Sequence, residues 1–218
     1  MRPIISKISF KALAVFAILI GLYPLIYFFI DRRFGLLQSK SNALLLDLFW
    51  NVGFYLHIAL GGVALFIGWT QFVTSWRNKF PKWHRGIGKV YIIACLISAL
   101  AGIYIACYAT GGIVASSGFM SLGAIWFYTT LKAYVHIRNG QVIKHQQMMI
   151  YSYAACCSAI TLRIYLPLLI AFFHDFNTAY VIVAWLCWIP NLLIAYLITR
   201  RLQNNIEKSS VGLTMERV

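Results

Sequence analysis

The chain has 218 residues, of which 61% are hydrophobic and only 11% charged, and its mean hydropathy is +0.75. Soluble domains carry about 25% charged residues, so this composition excludes a soluble catalytic domain and commits nearly the whole chain to a bilayer. The formal net charge of +14 argues no more strongly for nucleic acid, because the cations sit in short segments between apolar runs, the pattern of topology determinants and anionic-lipid contacts.

Arg2, Lys7 and Lys11 precede the first apolar run, as in a signal sequence. The run from Ala12 to Ile30 is too long for a typical signal core and lacks a small-x-small cleavage site, so it reads as a retained span. Further apolar runs follow, and with a bilayer core needing about 20 residues per helix they predict spans over residues 10–30, 50–74, 88–110, 114–136, 147–173 and 179–199. The expected fold is all-α: an integral membrane bundle of six transmembrane helices, since barrel strands would alternate over about 10 residues instead. Residues 1–9 form a cytoplasmic N-terminal segment, 10–199 the transmembrane domain and 200–218 a cytoplasmic tail.

The first exported loop, Asp31 to Phe49, is the only sizeable one. The turns around Thr110-Gly111-Gly112 and His174-Asp175-Phe176-Asn177 are short, so spans three and four, and five and six, are expected as antiparallel hairpins. No internal repeat is present, and inverted-repeat transporter logic gains no support. Cations orient the bundle. Arg2, Lys7, Lys11, Arg77, Lys79, Lys82, Arg85, Lys89, Lys132, Arg138, Lys144, Arg200, Arg201, Lys208 and Arg217 fall on one side; only Arg32, Arg33 and Lys40 fall on the other. The positive-inside rule makes both termini cytoplasmic.

Helical spacing places polar and small residues in stripes. Span two aligns Gly53, His57, Gly61, Ala64, Gly68 and Gln71; its glycines also suit plain helix packing. Span three aligns His84, Gly88, Tyr91, Cys95, Ser98 and Gly102. Span four offers Ser121, Tyr128 and Lys132, with His136 near its cytoplasmic end, and span five aligns His145, Met149, Ser152, Cys156 and Arg163. Spans one and six have fewer such residues (Pro24 and tyrosines; Asn191 beside Pro190), so a four-helix core of spans two to five flanked by one and six is expected. His57 and Arg163 lie some 12–15 Å from the outer face at 1.5 Å per residue, whereas Gln71, His84, Lys132, His136 and His145 lie near the cytoplasmic face.

Ionisable groups at such depths cost about 2.5–3.5 kcal/mol at a helix centre, which marks them as candidate sites. Neutral imidazole is the usual axial ligand of b-type haem. His84 and His145, on two helices at one depth, are candidate iron ligands, and Arg85, Lys89 and Lys144 could pair with propionates; histidine at a membrane boundary also anchors or binds lipid headgroups. His57 could bond a neighbouring helix, serve a proton path or bind a cofactor. Arg163 needs an anionic or carbonyl partner, and no acidic residue lies within any span. A zinc hydrolase, a Ser-His-Asp triad and a carboxylate proton relay all lack their acidic groups. The five cysteines lie in apolar runs, form no CxxC and read as small buried apolar residues; neighbouring Cys156 and Cys157 point about 100° apart on one helix. The aromatic and cationic stretch from Ser75 to Arg85 reads as an interfacial strap on anionic phospholipid.

The run His57-Ile58-Ala59-Leu60-Gly61-Gly62-Val63-Ala64-Leu65 with Gly68 and Gln71-Phe72, then His84-Arg85-Gly86-Ile87-Gly88 with Tyr91, then His145-Gln146-Gln147-Met148-Met149 and Thr161-Leu162-Arg163, resembles a bacterial family of multi-pass membrane proteins classed as a domain of unknown function. The resemblance covers about residues 50–172 and implies a bacterial inner-membrane location. A looser similarity is to cytochrome b-type reductases, whose four-helix cores hold haems between paired histidines; His84 and His145 match that scheme, while His57 and His136 lie at opposite depths and do not. Three readings therefore stand. One is a b-type haem or quinone protein of membrane electron transfer, with cofactor contacts from His84, His145, His57, Arg163, Gln71 and Arg85. The second is a small permease for an anion or protons along His57 and Arg163. The third is a non-enzymatic lipid-binding or assembly factor.

Overall fold

The computed structural model describes residues 7–29 and 35–215, without the side chains of Lys7, Phe28 and 209–215. Arg2, Arg32, Arg33 and Arg217, used above to orient the chain, and Asp31, which opens the first exported loop, lie outside the described residues. The described residues are helical almost throughout, with no strand, and six helices are long and apolar enough to cross a membrane.

Span one runs Lys7–Leu22, tightens into a 3-10 turn at Tyr23–Leu25 and ends in Ile26–Phe29. Pro24, in the first turn of that 3-10 piece, has no amide to continue the helical ladder, which accounts for the tightening. Residues beyond it fold back as a 3-10 turn, Gly35–Ser39, and a short helix, Asn42–Leu46, with Leu37 and Leu45 buried. Span two is Leu48–Gly68 with a 3-10 turn, Trp69–Phe72. A surface helix, Thr74–Lys79, leads into span three, Pro81–Ala106; proline at the first helical position suits this start, and it brings His84, Arg85 and Lys89 into the opening turns of the helix. Span four is Gly112–Arg138, entered through Gly111 and Gly112 at φ +92° and +66°. Gly111, with no Cβ, makes that tight turn without strain.

Spans five and six are both interrupted. Span five is Val142–Cys156 and Ser158–Phe173, broken at Cys157. Span six is Phe176–Leu186 and Ile189–Met215. Pro190 explains the second break, since it cannot donate to the carbonyl four residues back. The Cys187 carbonyl, at the break, accepts from Asn191 Nδ2 at 3.1 Å and from Thr161 Oγ1, which ties span six to span five. The last helix runs on through residues 200–215, the stretch read from sequence as a tail.

The acidic residues explain how the helices begin. Asp47 Oδ1 accepts from the Trp50 amide at 2.6 Å and Asp175 Oδ2 from the Thr178 amide at 2.7 Å, so both serve as N-caps. Neither carboxylate reaches into the bundle.

Span two packs on three, three on four and four on five, and spans two and five also touch, which closes the four-helix core. Span one lies against span two and the second half of span five; span six lies against four and five. The glycine stripe of span two is a packing seam: a Cβ on Gly61 would come within 3.0 Å of Ser98 Oγ, and one on Gly68 within 2.5 Å of the Tyr153 ring. One stripe differs from expectation. Tyr128 is 56% exposed and carries Lys132 Nζ 5.8 Å above its ring, so this face of span four points out of the bundle. Gly123, Trp126, Thr130 and Ala133 fill the inward face instead. An apolar count alone could not separate the faces, because span four is apolar on both.

Candidate functional site

The polar residues separate into two regions along the bundle, as expected. At the end carrying the basic segments, His145 is half-buried and its Nδ1 faces the Ala133 carbonyl at 2.8 Å. A carbonyl only accepts, so Nδ1 holds a proton and Nε2 is the nitrogen left to other partners. His84 is half-buried too and lies within electrostatic range of His145, Arg77 and Arg85. The structure thus brings the two histidines into one neighbourhood. His136 is not available to them through Nδ1, which pairs with Gln141 Oε1 at 2.7 Å across the turn to span five. Arg85 is exposed, and Gln71 is buried with Nε2 3.3 Å from Thr70 Oγ1. Beside this group lies an open pocket of about 310 Å³ lined by Thr70, Gln71, Trp76, Arg77, Phe80, Trp83, His84 and Ile87.

Mid-bundle, the core is filled. Tyr91 is fully buried and meets Ser152 Oγ at 3.0 Å; Ser152 meets Thr130 Oγ1 at 2.7 Å. Tyr153 donates to the Leu65 carbonyl at 3.3 Å. Among the described residues no group of three or more His, Cys, Asp or Glu could hold a metal ion.

The other half of the bundle is hollow. A cavity of about 240 Å³ lies on its axis, and all six spans contribute to its wall. Span one supplies Pro24 and Tyr27, span two Trp50 and His57, span three Gly102, span four Trp126, span five Ser158 and Arg163, and span six Tyr180. Leu36, Leu37 and Lys40 of the 35–47 segment close it from above. The break at Cys157 falls in this wall, between Cys156 and Ser158.

His57 and Arg163, matched in depth by residue counting, share this cavity and interact electrostatically. His57 Nδ1 points at the Ser98 carbonyl, 2.9 Å away, and Ser98 Oγ donates back to the His57 carbonyl at 2.8 Å. A carbonyl only accepts, so Nδ1 carries a proton and Nε2 is the nitrogen left to other partners. It fits because residue 102 is glycine: a Cβ there would sit 2.8 Å from Nδ1.

Of the anionic or carbonyl partner expected of it, Arg163 has a carbonyl, with NH1 donating to Ala159 O at 2.9 Å. It also has a partner that sequence reasoning missed: the guanidinium lies 4.5 Å above the Tyr23 ring. Tyr23 and Tyr27 meet edge to face at 5.9 Å, so span one, outside the four-helix core, supplies an aromatic floor for the cation. A tyrosine pair at i, i+4 beside Pro24 was the available signal.

Lys40 was also missed as a site residue. Its Nζ donates to the Tyr108 carbonyl at 2.5 Å and Thr110 Oγ1 at 3.0 Å, and Ser39 Oγ lies 2.9 Å from the same Thr110 oxygen. Burial pushes the Lys40 amine below the usual lysine pKa. Four wall residues also hold a buried polar atom with no hydrogen-bond partner: Trp50 Nε1, Trp126 Nε1, Ser158 Oγ and Arg163 Nε. The cavity thus presents cations and donors on apolar walls, and no aspartate or glutamate is among its described lining residues.

No curated protein and no solved structure matches the chain. One family model does, over residues 54–199, which spans the cavity residues from His57 to Arg163, the histidines of the basic end and the start of the last helix. Its reach extends past the stretch on which the sequence resemblance rested, and the chain belongs to that family, described as "Predicted membrane protein (DUF2306)", a multi-pass family of unknown function.

Proposed function

We propose that the protein binds a small amphipathic anion, with a carboxylate or phosphate head and an apolar body, in the cavity of its hollow half, and that it acts as a membrane carrier or binding protein for that class. The observation that carries this reading is the charge of the cavity: Arg163 and Lys40 line it with no carboxylate among its described lining residues. An unpaired cation in low dielectric is costly, and an anion entering from outside offsets that cost. Unpartnered donors at Trp50, Trp126, Ser158 and Arg163 favour an acceptor-bearing ligand in the same direction. The apolar remainder of the wall suits a hydrocarbon body. We further infer, from the positive-inside rule, that the basic end faces the cytoplasm of a bacterial inner membrane.

Binding is measured on protein in lipid nanodiscs by tryptophan fluorescence, with decanoate, decanol and a short-chain benzoquinone as probes and empty nanodiscs as blanks. Decanoate should bind about tenfold more tightly than decanol, the difference expected for one charge-assisted hydrogen bond. Arg163→Gln should remove that difference. Benzoquinone binding as well as decanoate, with Arg163→Gln neutral for both, would replace this reading by the quinone one.

A second reading concerns His84 and His145. The bond from His145 Nδ1 to Ala133 fixes the ring and leaves Nε2 as a ligand lone pair near His84. This supports b-type haem at the basic end. A dithionite-reduced minus oxidised spectrum of protein made under haem-replete conditions tests it: a split low-spin band lost in both His84→Ala and His145→Ala carries it, and a colourless folded protein ends it.

A further inference from the structure

We infer that the open pocket at the basic end is a seat for the phosphate headgroup of an anionic phospholipid. The pocket, of about 310 Å³, is lined by Arg77 and by Trp76, Phe80 and Trp83, which are 52%, 46% and 71% exposed. Three exposed rings around one cation are out of place in water. They fit the headgroup level of a membrane, where indoles are enriched. Buried Gln71 and half-buried His84 add hydrogen-bonding groups to the wall.

Charge identifies the occupant. Lys79, Lys82, Arg85 and Lys89 surround the pocket in sequence, and no acidic residue occurs between Asp47 and Asp175. The protein therefore has no carboxylate of its own in that stretch for Arg77. Lys79 Nζ lies 5.3 Å from the Phe80 ring centroid, on the pocket's flank. The opening of span three adds a further favourable dipole: its N-cap, Phe80, offers no side-chain bond to the first helical amides. A glycerophosphate at this level would have Arg77 and the helix start against its oxygens and the rings against its acyl shoulders. The source is the surrounding leaflet, because the pocket opens among membrane-level aromatics.

The test is native mass spectrometry of the full chain released from nanodiscs of phosphatidylcholine mixed with phosphatidylglycerol. The wild-type protein should retain one phosphatidylglycerol in preference to phosphatidylcholine. Arg77→Gln should reduce that retention about tenfold, by loss of a charge-assisted contact. Lys144→Gln removes the same charge from the same end, at a residue outside the pocket's lining, and should reduce it no more than about fivefold. Arg77→Lys keeps the charge and should restore part of the binding, which separates loss of the site from loss of the fold. Equal losses in Arg77→Gln and Lys144→Gln would show diffuse attraction to the leaflet and overturn the site. So would indifference to headgroup in the wild type, or displacement of the retained lipid by millimolar inorganic phosphate alone.

Discussion

At the scale of single residues, the cavity depends on one missing methyl group and one buried cation. The imidazole of His57 occupies the space that a side chain at position 102 would fill, and its Nδ1 bond to Ser98 fixes which nitrogen carries the proton. Gly102→Ala should therefore act on His57 first. The added Cβ, 2.8 Å from Nδ1, must push the ring off the Ser98 carbonyl. Overpacking of this kind costs about 1–3 kcal/mol, so thermal unfolding in detergent should fall measurably, and anion binding should weaken more than in Gly86→Ala, where a Cβ meets nothing within 4 Å. Equal stability and binding in the two variants would remove His57 from the site. Arg163 poses the complementary case. Its partners are the Ala159 carbonyl and the Tyr23 ring, and neither carries a negative charge. Tyr23→Leu should then destabilise the protein without bound anion by about 0.5–2 kcal/mol, with a smaller effect once decanoate is present, as read from unfolding curves with and without it.

At the scale of elements, the segment 35–47 behaves as a cap over the cavity. It is attached to the turn between spans three and four by Ser39 and Lys40, both bonded to Thr110. A disulfide formed by Ser39→Cys with Thr110→Cys should slow entry and exit of decanoate, with reductant restoring both rates; unchanged rates would mean that ligand reaches the cavity by another route. The same attachment sets a pH dependence. Burial depresses the Lys40 pKa from 10.5, so the charge that favours an anion is present below the depressed value and is lost as pH rises through it. Decanoate affinity should fall over that interval, and Lys40→Arg should hold it level. Much of this scale was legible in the sequence. Spans two to six, the hairpins and the shared depth of His57 and Arg163 follow from run length, short Gly- and Asp-bearing turns and helical spacing. The cap was not legible, because three hydrogen bonds from a loop leave no periodic trace. Nor was the outward turn of Tyr128 and Lys132, since span four is apolar enough on both sides to hide which one packs. The aromatic floor under Arg163 required knowing that span one crosses span five, a long-range contact that no local pattern encodes.

At the scale of the whole molecule, hollow and filled halves coincide with an asymmetry of charge. Apart from Lys40, the described lysines and the described arginines other than Arg163 fall at the basic end, while Asp47 and Asp175 cap helices at the other. The asymmetry has one energetic consequence and one topological one. Energetically, cations at the basic end gain about 1 kcal/mol each from an anionic leaflet, which stabilises the insertion in which that end meets the more anionic surface. Topologically, the same cations resist translocation, so the basic end should stay in the cytoplasm and the cavity should open, through its cap, to the opposite side. Single-cysteine variants of a cysteine-free chain test this in intact cells with a membrane-impermeant maleimide. A cysteine at Gln38, which is exposed in the cap, should label in intact cells. One at Asn139, exposed in the turn between spans four and five, should label only after the membrane is permeabilised. The reverse pattern would place the basic residues outside, against their cost of translocation, and would turn the cavity mouth toward the cytoplasm. Replacing Arg77, Lys79, Lys82 and Arg85 together by glutamine should mix the two patterns, because it removes four of the cations that fix the orientation while leaving the apolar spans, and hence insertion itself, unchanged.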